Sequence, residues 1–238
     1  MELNDKVAMV TGASKGIGRA TALALAREGA HVAISARTAS LLQEVADEIE
    51  KLGRKALAFV GDMSVEEDIK AFISKTAETF GRIDILVNNA GVGIFKPVAE
   101  LSTDDWDAMF NLNVRGLFIA TRECLPYLRR AGESVVVNVV SLAGKNAFKN
   151  GGGYAATKHA VLGFSRCLML EERYNGVRVL AICPGSVDTH FSDGRRSPDD
   201  PKRQRILQAE DVASSIVHMI RLPQRAMISE IDIRPSQP

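Results

Sequence analysis

Seven short, nearly continuous apolar runs rich in β-branched residues recur along the chain, each separated from the next by a longer amphipathic segment. The runs are Val7 to Val10, His31 to Ser35, Ala56 to Val60, Ile85 to Asn88, Val135 to Val140, Val177 to Cys183 and Ile228 to Ile233. Because they do not alternate apolar with polar residues, most of them suit strands covered on both faces, as in a parallel sheet. Helical spacing fills the gaps, over Gly16 to Glu28, Ser40 to Lys51, Ser64 to Phe80, Thr103 to Arg130, Gly152 to Tyr174 and Glu210 to Arg221. Gly29, Gly53 and Gly81 mark helix ends, and Ser64 with Glu67 reads as a capping box. This βαβ rhythm predicts an α/β, doubly wound, Rossmann-type sheet of seven parallel strands with helices on both faces. Its ligand site should lie beyond the carboxyl ends of the strands.

No linker, repeat or low-complexity tract breaks the rhythm, so residues 1–238 are expected to form one domain. The one long irregular stretch, residues 184–208, is rich in Pro, Gly, Asp and Arg and reads as a substrate lid. Composition closes off other classes. Lys+Arg 30 against Asp+Glu 29 gives a net charge of +1, leaving no global field to recruit nucleic acid or an anionic membrane. No run approaches the roughly 18 apolar residues of a membrane span. Cys124, Cys167 and Cys183 each sit in an apolar stretch that reads as core, and Met1 to Asp5 lacks the basic start of a signal peptide. A reducing, cytoplasmic setting is the expectation. The four histidines show no metal-ligand spacing, so no metal is expected.

Directly after the first strand, Thr11-Gly12-Ala13-Ser14-Lys15-Gly16-Ile17-Gly18 opens a helix. Such glycines let the backbone turn sharply and approach a pyrophosphate, while the helix start offers free N–H groups and partial positive charge. The spacing is G-x-x-x-G-x-G, neither a P-loop nor the usual G-x-G-x-x-G. About 20 residues on, where an acidic residue would bind the ribose 2′-hydroxyl of NAD, Ser35-Ala36-Arg37 offers no acid. Arg37 and Lys15 are placed instead to bracket a 2′-phosphate. Charge-assisted hydrogen bonds of about 1.5 to 3 kcal/mol would then favour NADP(H).

Tyr154 and Lys158 stand four apart on a helical segment and so share a face, and Ser141 falls at the carboxyl end of the fifth strand. Reducing a carbonyl needs a proton donor on its oxygen and a partner to hold it, roles that suit Tyr and Ser. A free phenol has a pKa near 10, and the adjacent Lys158 ammonium together with a positive nicotinamide ring is expected to lower it. Ser141 is no hydrolase nucleophile, because Val139-Val140-Ser141-Leu142-Ala143 is not a G-x-S-x-G elbow.

Together these residues resemble the short-chain dehydrogenase/reductase family in its compact branch. The family's T-G-x-x-x-G-x-G is Thr11 to Gly18, its N-N-A-G is Asn88 to Gly91, its Y-x-x-x-K is Tyr154 to Lys158, and its P-G is Pro184-Gly185, continuing through Val187 to Thr189. The resemblance implies that Asn113 bends its helix and helps hold a water in a proton relay ending at Lys158. It implies that Asp62 and Met63 contact adenine, that Asn89, Ala90 and Gly91 shape the cofactor cleft, that Lys158 also binds the nicotinamide ribose, and that Pro184, Gly185, Val187 and Thr189 lie along the carboxamide. A homotetramer or homodimer paired through the long helices is implied as well.

The ending Ile228 to Pro235 lacks the Gly-Gly segment of many members and is similar to the branch acting on hydroxy acids and small alcohols. A small ketone or hydroxy acid is therefore the expected substrate, with a 3-oxoacyl thioester reductase as the rival enzyme and a non-catalytic NADP(H)-sensing protein as the rival of another class. Selectivity is expected from Val92 to Phe95, from Lys145 to Phe148 and from Val187 to Phe191, with Lys145 and Lys149 meeting a substrate carboxylate. In the lid, Arg195, Arg196, Lys202, Arg203 and Arg205 alternate with Asp193, Asp199 and Asp200, a pattern that reads as a solvated loop.

Overall fold

In the computed structural model, which describes residues 1–189, 191 and 205–236, each apolar run becomes a strand. In chain order the elements are β1 (Val7–Thr11), α1 (Gly16–Arg27), β2 (His31–Ala36), α2 (Ala39–Lys51), β3 (Ala56–Val60), α3 (Glu66–Phe80) and β4 (Ile85–Asn88). There follow α4 (Thr103–Phe110), a π-helical turn (Asn111–Gly116), α5 (Leu117–Ala131), β5 (Ser134–Val139), α6 (Gly152–Glu172) and β6 (Val177–Pro184). Two short strands, β7 (Val187–Asp188) and β8 (Leu207–Gln208), pair with each other before α7 (Ala209–Arg221) and β9 (Glu230–Ile233). Most of the lid, with His190 and every charged residue named in it except Arg205, lies outside the described residues.

Seven strands form one parallel sheet in the order β3-β2-β1-β4-β5-β6-β9. The period-two geometry of a strand sends successive side chains to opposite faces, and the core divides accordingly. Ala8, Val10, Val32, Ile34, Ile85, Val87, Val135 and Val137 pack under α1, α2 and α7. Met9, Ala33, Leu86, Val136 and Val179 pack under α3, α5 and the end of α6. Both faces of the five inner strands are therefore dry, which is why those strands read as unbroken apolar runs, while the edge strands β3 and β9 are only partly buried. The direction of winding reverses between β1 and β4. Their carboxyl ends separate there, and the loops after Thr11 and Asn88 flank the gap.

Three local expectations are corrected. Ser64 does not cap α3: its N–H and Oγ both donate to Asp62 Oδ1, at 2.9 and 2.8 Å, and the helix starts at Glu66 without a side-chain cap. Asp62, two residues back, captures Ser64 in a tight turn before the helix can use it. The capping box instead opens α4, where Ser102 and Asp105 bond reciprocally. Cys124 and Cys183 are buried as expected, but Cys167 is exposed, because it falls on the outward face of α6. Thr103 to Arg130 is not one helix, since the π turn divides it into α4 and α5. Among the described residues, no helix is long and apolar enough to cross a membrane.

Candidate active site

A cleft of 870 Å³ opens along the carboxyl edge of the sheet, within the range of small-molecule and cofactor sites. Its floor is the turn after β1. Gly12 has φ +66° and Gly16 φ +58°, backbone conformations that L side chains rarely adopt, and a Cβ on Gly12 would meet Ala90 Cα at 2.8 Å. At Gly18 a Cβ would collide with the Asn89 side chain and the Gly12 carbonyl, so this glycine sets packing and does not itself line the cleft. The first turn of α1 carries no side-chain cap, which leaves its N–H groups facing the loop.

The segment after β4 is strapped to β1. Thr11 Oγ1 accepts from the backbone N–H of Asn89 and of Ala90, each at 3.0 Å, while Asn89 Nδ2 donates to the carbonyls of Thr11 and Gly12 at 2.9 and 3.0 Å. The carboxyl ends of β2 and β3 supply Arg37, Asp62 and Met63 to the same cleft, and those of β6 and β7 supply Pro184, Gly185, Val187 and Thr189. The Arg37 side chain is 76% exposed and only 3.8 Å from Asp62, a loose pairing that leaves a cation at this end of the cleft. Of the residues expected to bind a cofactor, all but Gly18 line the cleft. A dinucleotide fits such a cradle: the close backbone approaches leave no room for side chains, and the uncapped helix start faces the glycine turn.

Ser141, two residues beyond β5, lies beside Tyr154 and Lys158 from the start of α6. Its Oγ accepts from Ala143 N–H at 3.1 Å and donates to Pro184 O at 3.4 Å, and the Tyr154 phenol lies beside it. Burial pushes the Tyr154 phenol up to about 12, with the Ser141 side chain pulling the other way. The expected lowering by Lys158 is thus not achieved by the protein's own groups, because desolvation of a phenolate outweighs them. Lys158 Nζ stands 5.7 Å from the Tyr154 ring centre and donates to Val139 O at 2.9 Å. Burial lowers its pKa to about 8.

Asn113 lies in the π turn beneath the cleft rather than in its lining. Its Oδ1 accepts from Val92 N–H at 2.8 Å, and its Nδ2 donates to Val92 O at 2.8 Å and to Thr157 Oγ1 at 3.1 Å. Thr157 Oγ1 in turn donates to Tyr154 O. A Cβ at Gly91 would sit 3.2 Å from Asn113 Oδ1 and 3.8 Å from Lys158 Nζ, so these three residues meet at one point.

The expectation that Lys145 and Lys149 receive a substrate carboxylate fails on geometry. Lys145 is held between Glu230 and Asp232 of β9, and neither lysine lines the cleft. Sequence reasoning missed Thr38, Gly61 and Arg234, which do line it. Thr38 and Gly61 were readable as the residues just past the ends of β2 and β3. Arg234 was readable in the same way, as the residue just past the end of β9, which pairs with β6 at that edge.

The short chain dehydrogenase family model matches residues 6–200. The chain is 35% identical over 239 residues to glycine betaine reductase ATRR of Emericella nidulans, covering 98% of this chain but only 19% of that much longer protein. It is 34% identical over 240 residues to an uncharacterized oxidoreductase of Staphylococcus saprophyticus, covering 99% of each chain. Among solved structures, an alcohol dehydrogenase from the archaeon Thermococcus sibiricus, complexed with 5-hydroxy-NADP, superimposes with a TM-score of 0.91 at 32% identity, covering 99% of this chain and 98% of that one.

Proposed function

The chain belongs to the short chain dehydrogenase family and is an oxidoreductase, and from that premise we propose that it interconverts a carbonyl and a secondary alcohol with NADP(H). The observation that carries the reading is the convergence of Ser141, Tyr154 and Lys158 on the cleft that the glycine turn floors. In this reading Gly12, Ser14, Lys15, Gly16 and Ile17 hold the pyrophosphate, and Lys15 and Arg37 take the 2′-phosphate. Asp62 and Met63 face adenine, Asn89 to Gly91 wall the cleft, Lys158 holds the ribose, and Pro184, Gly185, Val187 and Thr189 hold the carboxamide. The absence of an acid in Ser35-Ala36-Arg37, with Arg37 loosely tethered, favours the phosphorylated cofactor, as does the NADP analogue in the archaeal relative.

When bound, the reduced nicotinamide supplies a hydride. Ser141 holds the carbonyl oxygen, and Tyr154 gives it a proton. A phenol with a pKa of about 12 carries its proton at neutral pH and so has one to give, but it is a weak acid until the charge it leaves behind is stabilised. Lys158, largely charged below its pKa of about 8, stabilises the tyrosinate left behind. Asn113 fixes the Val92 backbone and the first turn of α6 by way of Thr157, so it orders the relay behind Lys158. Pairing of copies through α5 and α6 belongs to the same proposal.

The test is NADPH and NADH oxidation at 340 nm over a panel of ketones, 3-oxo acids and thioesters, with Tyr154→Phe and the double change Ala36→Asp, Arg37→Ala. Tyr154→Phe is expected to lose about 10² to 10⁴ in kcat while keeping its affinity for cofactor. The double change is expected to move kcat/KM from NADPH toward NADH by at least about tenfold. Full turnover in Tyr154→Phe would end the mechanism, and an initial preference for NADH would end the cofactor assignment.

A further inference from the structure

The catalytic tyrosine is set in a box of aromatic rings. Phe95 lies 5.3 Å from the Tyr154 ring centre, Phe191 lies 5.6 Å from it, and Phe95 in turn contacts Phe191 at 6.3 Å and Phe148 at 5.9 Å. All three phenylalanines line the cleft. Glycines make room for them: a Cβ on Gly93 would meet Phe95 Cζ at 2.6 Å and Phe191 Cε1 at 2.8 Å, and one on Gly151 would collide with the Phe148 ring. Behind the box, Val92, Ile94, Leu101, Met109 and Ala143 form a continuous apolar backing to Tyr154. Phe148 and Phe191 nevertheless remain 43% and 42% exposed, so large apolar surface faces the cleft without being covered.

Among the described residues, charge on this side is already paired. Lys145 is locked between Glu230 and Asp232, and the Arg234 guanidinium pairs with Asp232 at 3.3 Å. A carboxylate brought against the rings would lose its hydration with no unpaired cation among those residues to replace it. An aryl group would instead gain apolar burial and offset or edge-on ring contacts.

Resting on the reading above, we infer that the substrate is an uncharged ketone, or the matching secondary alcohol, bearing an aryl or similarly broad apolar group, and that Phe95 and Phe148 set this preference. The step balances as carbonyl plus NADPH plus a proton giving alcohol plus NADP+. Hydride goes to the carbonyl carbon and the Tyr154 proton to its oxygen, and Tyr154 is recharged from solvent.

The experiment compares acetophenone, phenylglyoxylate and 2-butanone as substrates of the wild-type chain, Phe95→Leu and Phe148→Leu. NADPH binding by fluorescence serves as the check that each variant is folded. Acetophenone is expected to exceed each of the other two by at least about tenfold in kcat/KM. Either leucine variant is expected to narrow the lead over 2-butanone at least threefold through KM, with kcat little changed. In a second readout, 1-phenylethanol is expected to raise the melting temperature of the NADP+-loaded protein and mandelate to leave it unmoved. Phenylglyoxylate turned over as well as acetophenone, or a ratio to 2-butanone that neither leucine variant moves, overturns the substrate class while the carbonyl reductase reading stands. Binding of NADPH with no oxidation by any of the panel overturns that reading and this inference with it.

Discussion

Lys158 is an ammonium sealed in the interior, 6% exposed, and its burial holds the folded-state pKa near 8 against an ordinary 10.5. The unfolded chain therefore binds more protons than the folded one between those values, and stability rises as pH climbs from 8 to 10.5. Below pH 8 the full cost of the buried charge is present, at most about 3 kcal/mol. Lys158→Met is accordingly expected to melt higher than wild type at pH 7 in the absence of cofactor, with the gap closing as pH approaches 10.5. The raised Tyr154 phenol weakens folding above pH 10, but it does so in both proteins and cancels in the difference. A gap that widens with pH would show that the ammonium is not paying a desolvation cost. Stability sacrificed at this residue fits the role proposed for it, a positive charge beside the phenol.

At the scale of elements, the π turn is the joint on which the site depends. By widening the helix between Phe110 and Leu117 it lets Asn113 reach both Val92 and Thr157, so that one amide ties the β4 loop to α6. Gly116 makes the turn possible, because a Cβ there would collide with the Met63 carbonyl. Gly116→Ala should gain helix propensity yet lose about 1 to 3 kcal/mol net from the clash, measured as a lower urea midpoint, and should lower kcat by displacing Asn113. An unchanged midpoint would remove the close approach from the account. From sequence, Thr103 to Arg130 reads as one helix, since hydrogen-bond pattern leaves no trace in hydrophobic period; the bend at Asn113 was readable only through resemblance. The helix ends at Gly29, Gly53 and Gly81 were readable directly, and all three have positive φ. Ser64 misled because a capping signature cannot reveal that Asp62 competes for the same hydroxyl.

Over the whole molecule, stability and chemistry are assigned to opposite edges of the sheet. At the amino edge Asp84 is fully buried and accepts from Val7 N–H at 2.9 Å, from Arg82 Nε at 2.8 Å and from Lys6 Nζ at 3.4 Å, pinning β1 to β4. Asp84→Ala is expected to cost about 2 to 3 kcal/mol in denaturant unfolding and to leave the KM for NADPH unchanged; a weakened KM would mean that the two edges are coupled. Sequence by itself determined the strands, the burial of the inner ones on both faces, the glycine turn and the Tyr154–Lys158 pair, because each rests on local period or on spacing within a single element. Tertiary structure alone decided that Lys145 turns to β9 and that Phe95 and Phe191 close around Tyr154. Those outcomes follow from which distant segments the sheet order brings side by side, and a side chain's partner across that distance is chosen by packing and charge rather than by its neighbours in the chain.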